Sequence, residues 1–238
     1  MAIRGLLFDF DGLLVDTESA SRAGWEWLYR EHGHELPLDA WATVVGTIGA
    51  AFDPMAHLEE LVGKPLERDV LDKRRNAHEM TLVEAEELRP GIADYLAEAE
   101  RLRLRKAIVS SSSRRWVDLN LGRLERLVGW DAIVTADHDT ERAKPRPTLY
   151  LEALDLLGLD AREAVAFEDS PNGVRAAKAA GIFCVGVPNP ITADLGLDQA
   201  DLVVGSLAEL PLEELLERAD ESGRGRGDHD HDQQRRAQ

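Results

Sequence analysis

Two carboxylates one residue apart, Asp9 and Asp11, end an apolar run and are followed at once by Gly12. Burying a carboxylate is costly unless it is paired or bound to a metal, so folding alone does not put two at the end of a buried strand. Alternate residues of a strand share a face, which predicts that Asp9 and Asp11 point the same way. Gly12 then permits a tight turn. Such a pair suits a hard, oxygen-seeking cation such as Mg²⁺. Either carboxylate can also act as a nucleophile, since aspartate forms acyl phosphates in some enzymes.

Three further segments carry polar residues with no evident structural purpose. These are Ser110-Ser111-Ser112-Ser113 after Ala107-Ile108-Val109, Lys144 within Ala143-Lys144-Pro145-Arg146-Pro147, and Glu168-Asp169 after Phe167. In open α/β sheets, ligands bind beyond the carboxyl ends of the strands, and all four segments can meet there. A hydroxyl at a strand end can hydrogen-bond a phosphate oxygen, and the N–H groups of a following helix start favour anions. Lysine is a compact positive charge able to balance both phosphate and nucleophile. Glu168-Asp169 can complete an oxygen shell around Mg²⁺. Taken singly, the serine run reads as a loop or cap and Lys144 as a surface turn residue. The four together, in this order, are far more specific.

With these segments assembled, the chain resembles the haloacid dehalogenase superfamily of hydrolases. The likeness is to the capped phosphatase and β-phosphoglucomutase-like branch. The family's first motif is matched by Asp9-Phe10-Asp11-Gly12-Leu13-Leu14-Val15-Asp16-Thr17-Glu18, the second by Ser110, the third by Lys144-Pro145 and the fourth by Glu168-Asp169-Ser170. The run from Asn172 to Gly181 also fits, and the cap matches least. The resemblance implies an α/β fold, a Rossmann-like parallel sheet core with an inserted all-helical cap. It implies that Asp9 attacks phosphorus, while Asp11 protonates the leaving oxygen and then activates water. Mg²⁺ would sit on the Asp9 carboxylate, the Asp11 backbone carbonyl and Asp169, with Glu168 as a further ligand or a partner of one. Ser110, Ser111 and Lys144 would hold the phosphoryl oxygens. Dehalogenases and phosphonate-cleaving members lack an aspartate at the Asp11 position, so its presence favours phosphate esters.

The implied activity is Mg²⁺-dependent hydrolysis of a small phosphorylated metabolite such as a sugar phosphate. A phosphosugar mutase is the alternative, and a non-catalytic metabolite-binding protein a more distant one. β-Phosphoglucomutases carry a histidine in the first cap helix, where this chain has Ser21. They also carry an arginine after a cap glycine, where Gly46-Thr47-Ile48-Gly49-Ala50-Ala51 has no basic residue. Arg74 and Arg75 are candidates to supply positive charge in its place, with a solvated helix face as the favoured reading.

The elements that must position these residues follow from hydrophobic spacing. Short Val- and Ile-rich runs alternate with helical patterns, which predicts a parallel sheet covered by helices. Strands are expected at 3–10, 106–110, 132–135, 164–167, 183–186 and 202–204, and helices at 92–103, 116–127, 148–157 and 173–180. Pro90-Gly91 marks a helix start and Gly181 a helix stop. The stretch 15–87 breaks the rhythm and reads as several helices, so the expected division is a core of 1–14 and 88–217, a cap of 15–87 and a disordered tail of 218–238. His229 and His231, among alternating aspartates, read as part of that solvated tail. Trp25, Trp27 and Trp41 are expected in the cap core, with shaping of the substrate pocket as the alternative, His57 and His78 as packing or surface residues, Asp16 as a helix cap or an anchor of the linker, and Asp137 as a partner of Lys144.

The chain of 238 residues has a formal net charge of −17 and a pI near 4.8. That argues against binding nucleic acid or an anionic membrane through bulk charge. An anionic substrate therefore needs a local positive site. The single cysteine, Cys184, lies in an apolar run and reads as a buried hydrophobe. No signal-peptide pattern or membrane-length apolar run is present, so a cytoplasmic protein is expected, as monomer or homodimer.

Overall fold

The computed structural model describes residues 2–42, 52–124 and 129–222. Six strands, β1 (Gly5–Phe8), β2 (Arg105–Ser110), β3 (Ala132–Thr135), β4 (Ala164–Glu168), β5 (Phe183–Gly186) and β6 (Leu202–Val203), form one parallel sheet in the order β3-β2-β1-β4-β5-β6. Strands β3 and β5 coincide with their sequence-predicted spans. The first strand stops at Phe8, short of the expected Phe10. Asp9 N–H still donates to Phe167 O at 3.0 Å, but the chain then turns, and Gly12 N–H bonds Val15 O at 2.8 Å. Strand alternation therefore does not bring Asp9 and Asp11 together; the turn does.

Alternating residues send the sheet's apolar side chains to two faces. Leu6, Phe8, Ile108, Val165 and Phe167 enter one buried cluster, and Phe8 stacks on Phe167 with ring centroids 4.7 Å apart. Helices α5 (Ile92–Arg101) and α6 (Arg114–Arg123) cover that face with Ile92, Tyr95 and Val117. Leu7, Ala107, Val109 and Ala166 enter the second cluster, under α7 (Thr148–Leu157) and α8 (Pro171–Ala179). Burial on both faces explains why these strands read as continuous apolar runs rather than alternating ones. Helix 212–222 carries Ala219 into the first cluster, past the point where the sequence predicts a disordered tail. His229 and His231 lie outside the described residues.

Between β1 and α5 the described residues form four helices, α1 (Thr17–Glu31), α2 (Leu38–Ala42), α3 (Pro54–Val62) and α4 (Arg68–Ala85). They have their own apolar cluster, with Leu28, Tyr29, Trp41, Met55, Leu58 and Leu71 buried together. Val44 and the Gly46–Ala51 stretch lie outside the described residues. Asp16 caps α1 through Ser19 N–H at 3.0 Å, as its position predicts. His57 accepts or donates against the Tyr29 hydroxyl at 2.9 Å, and His78 stacks on Trp27, both in packing roles. The two connections to the core meet: Val15 pairs with Leu88, and Arg89 N–H bonds Leu14 O at 3.0 Å. The Arg89 guanidinium then donates to Gly12 O at 2.6 Å and to Pro188 O at 2.7 Å, tying the cap's return linker to the first turn and to the loop after β5.

Candidate active site

The carboxyl ends of β1, β2 and β4 open into a cavity of about 530 Å³ between sheet and cap. All four sequence-predicted segments contribute to this region. Asp9, Lys144, Glu168 and Asp169 are buried, and Ser110 is almost fully so. The Lys144 ammonium is bonded to Asp9 Oδ1 and lies 2.6 Å from Glu168 Oε1. The expected pairing of Lys144 with Asp137 does not occur. Asp137 instead accepts from Arg114 N–H at 2.6 Å and from the Thr135 hydroxyl at 2.7 Å.

One carboxylate oxygen each from Asp9, Glu168 and Asp169 lies within 4.8 Å of the others. Burial pushes the Asp9 carboxyl up to about 8 against the lowering pull of Lys144, with Glu168 and Asp11 adding to the rise. Burial, then the Asp9 and Glu168 charges, hold Asp169 well above the usual carboxylate range. Desolvation works against the Lys144 ammonium, but Asp9 and Glu168 outweigh it and raise its pKa. Three acids crowded in low dielectric repel one another, and a divalent cation would relieve that repulsion. Glu168 Oε2 is buried with no hydrogen-bond partner, while Oε1 accepts from the Tyr150 hydroxyl at 2.5 Å and faces Lys144. A buried all-carboxylate donor set with an oxygen to spare fits a hard cation.

Asp11 stands apart from this cluster. Its Oδ1 accepts from the Thr17 hydroxyl at 2.8 Å and the Trp116 indole N–H at 2.7 Å. Its Oδ2 accepts from the hydroxyls of Ser112 at 2.6 Å and Ser110 at 3.3 Å. Ser111 bonds the Lys144 backbone N–H through its hydroxyl at 3.2 Å, joining the second segment to the third. Gly12 has φ +80°, and a Cβ there would collide with the Asp169 carboxylate and the Asn189 amide. Glycine is thus required both for the turn and for the close approach.

Ser112, Thr17, Trp116, Tyr150 and Asn189 belong to the site although sequence reasoning did not single them out as site residues. Asn189 donates to Asp169 Oδ2 at 2.7 Å and accepts from the N–H groups of Ile191 and Thr192. It follows β5, so the strand-end rule that found the other segments also reaches it. Trp116 lies in the first turn of α6, four residues after Ser112, and Tyr150 occupies the first turn of α7 after Lys144.

The cavity's other wall comes from the cap. Glu18, Ser21 and Trp25 of α1, Trp41 of α2, and Arg75 and Glu79 of α4 line it. Arg75 corrects the sequence expectation of a solvated face: its side chain is 13% exposed, whereas Arg74 sits outside, paired with Glu31 at 2.8 Å. Gly24 lets α1 and α4 approach here, since a Cβ would stand 3.2 Å from Glu79 Cβ. Burial and the nearby Asp11 and Asp9 charges push the Glu18 carboxyl up to about 8. Trp27 packs away from the cavity, against His78.

The family model for haloacid dehalogenase-like hydrolases matches residues 3–181. The chain is 42% identical to a Bacillus subtilis protein, YhcW, named as a candidate phosphatase, over 90% of this chain and 97% of that one. It is 32% identical to the validoxylamine A 7'-phosphate phosphatase of Streptomyces hygroscopicus subsp. limoneus, over 86% and 94% of the two chains. A solved structure of Rhodobacter sphaeroides CbbY, in complex with xylulose 1,5-bisphosphate, superposes with a TM-score of 0.68 at 28% identity, covering 87% of this chain and 96% of that one. With its six-stranded parallel sheet, its inserted helices and the acidic, hydroxyl and lysine residues gathered at the strand ends, this chain belongs to the haloacid dehalogenase-like hydrolase family.

Proposed function

We propose that the protein is a Mg²⁺-dependent phosphatase that hydrolyses a small phosphorylated metabolite through an aspartyl-phosphate on Asp9. One observation carries this reading: the two aspartates of the first turn have separate partners. Asp9 lies against Lys144 and the Glu168–Asp169 pair, while Asp11 is held by four hydrogen-bond donors of its own. That separation supports a division into nucleophile and acid/base.

An Asp9 oxygen attacks phosphorus, and the ester P–O bond breaks as Asp11 delivers a proton to the leaving oxygen. Asp11 then takes a proton from the water that attacks the aspartyl-phosphate, releasing phosphate and restoring Asp9. When Asp11 is protonated its O–H donates while its remaining lone pairs still accept, so the surrounding Ser and Thr hydroxyls can rotate to suit either state. Lys144, Ser110 and Ser111 hold the phosphoryl oxygens, and positioning with charge neutralisation is most of what phosphoryl transfer needs. Asp9, Glu168 and Asp169, with the Asp11 carbonyl, would hold Mg²⁺, which when bound neutralises charge on the phosphoryl group. The cap of residues 15–87 excludes bulk water when closed.

The test is phosphate release from p-nitrophenyl phosphate and a metabolite panel with Mg²⁺, with Asp9→Asn as the blank. Activity should fall by about a thousandfold or more in the variant, the scale seen when a nucleophile is removed, and chelation should abolish it in the wild type. Full activity of Asp9→Asn, or indifference to chelation, would sink the reading.

A further inference from the structure

Asn189 sits where the acids of the floor meet the cap. It is buried within Pro188-Asn189-Pro190-Ile191, and its hydrogen bonds fix which way its amide points. Oδ1 accepts from the N–H groups of Ile191 at 2.8 Å and Thr192 at 2.9 Å, so the NH₂ end must face the other way. There it donates to Asp169 Oδ2 at 2.7 Å and reaches the Gly12 carbonyl at 3.4 Å. The Asn189 N–H donates to the hydroxyl of the buried Thr192 at 2.9 Å, closing the turn. Each flanking proline has a fixed φ, and the second also narrows the angles open to Asn189. The turn 188–192 is therefore stiff.

The far end of this turn belongs to the cap. Ile191 is buried in the cap's apolar cluster with Leu28, Trp41 and Leu58, and Leu195 packs against the same cluster. Arg89, on the cap's return linker, donates to Val187 O at 3.1 Å and Pro188 O at 2.7 Å, just before Asn189. The near end belongs to the acids. Val187 N–H bonds Glu168 O at 2.7 Å, and the Asn189 amide holds one oxygen of Asp169. Ile191 keeps its burial only while the cap is seated; lifting the cap exposes it and frees the turn that presses the amide on Asp169. With Asp9 and Glu168 close by, how the Asp169 carboxylate is presented depends on the donor that holds it. We propose that Asn189 is a positioning residue that makes divalent-cation affinity depend on cap closure. Asp169 is held ready for the cation while Ile191 is seated in the cap, and is let go when the cap lifts. By reciprocity, a bound cation draws the cap shut. This rests on the reading of Asp9, Glu168 and Asp169 as Mg²⁺ ligands and extends it to the cap.

Calorimetric titration of the substrate-free protein with Mg²⁺ tests it. Asn189→Ala should weaken binding by about tenfold or more, the scale for residues that orient metal ligands. Ile191→Ala, whose side chain lies in the cap cluster and not among the acids, should weaken it by about three- to tenfold, the scale for a change that acts through coupling. Ile191→Val, which keeps most of the buried surface, should restore near wild-type affinity. In the Asn189→Ala background, Ile191→Ala should add nothing further, because the link is already cut. Unchanged affinity in Ile191→Ala, or two effects that add in full, overturns the proposal. The reverse direction serves if the Ile191 variant does not fold. Saturating Mg²⁺ should slow amide hydrogen exchange in α3 of the wild type but not of Asn189→Ala, and equal slowing in both overturns the proposal. If the wild type binds no Mg²⁺ at all, the Mg²⁺-dependent reading itself fails and the proposal falls with it.

Discussion

The floor and the cap wall of the same cavity are built on different terms. The floor comes from strand ends, and its charged groups have fixed partners: Lys144 with Asp9 and Glu168, Tyr150 with Glu168, Asn189 with Asp169, and four donors on Asp11. Buried charges are tolerable only with such partners, so the floor is rigid by necessity. The wall comes from helix faces. Among the described residues the Glu18 carboxyl has no ion-pair partner, and the arginine that lines the wall, Arg75, is paired within its own helix. Chemistry is thereby fixed by the parallel sheet, while selection is left to side chains that can change without disturbing it.

The contrast can be broken at three points, in descending order of effect. Tyr150→Phe removes the hydroxyl that holds Glu168 and leaves Lys144 as the remaining partner of Oε1. Mg²⁺ affinity should fall about 10- to 100-fold, as for other residues that orient metal ligands, read by calorimetric titration as well as by the Mg²⁺ dependence of rate. An unchanged affinity would detach Tyr150 from the floor. Trp116→Phe removes one of four donors to Asp11, a hydrogen bond to a charged group. A fall of about tenfold in kcat with little change in KM is expected, and a pure KM effect would move Trp116 to the wall.

Glu18→Gln gives the smallest effect. The Glu18 carboxyl is raised in the folded protein to about 8 from an ordinary value of 4.5. Its stabilising contribution is therefore complete at pH values below the unfolded value and lost as pH rises toward 8. In chelator, the wild type should lose Tm relative to Glu18→Gln across that window, with no further divergence above it. Parallel Tm curves from pH 5 to 9 would contradict this.

How much was legible in the sequence follows the same division. The strand ends were legible because a carboxylate or lysine after a buried run has few structural excuses, and the order of Asp9, Ser110, Lys144 and Glu168-Asp169 along the chain carries the resemblance. Helices α7 and α8 and strands β3 and β5 followed from spacing. The wall was not legible, because spacing does not say which face of α4 turns inward. Arg74 and Arg75 look alike in sequence, and only the close approach of α1 at Gly24 buries one and leaves the other paired with Glu31. Asp137 was misread because nearness in sequence to Lys144 ignored the turn that points its carboxyl at Thr135 and Arg114. Trp116 and Asn189 were missed because an indole and an amide have ordinary packing roles elsewhere.

The central claim is that phosphate passes through Asp9. Turnover of a phosphate monoester with Mg²⁺, quenched with borohydride, reduces an acyl phosphate to the alcohol. Mass spectrometry of the peptide containing Asp9 should then find homoserine at position 9, with Asp11 in the same peptide unaltered and no such product in Asp9→Asn. An unmodified peptide under conditions that trap a known aspartyl-phosphate enzyme, or reduction at Asp11 instead, would contradict the account.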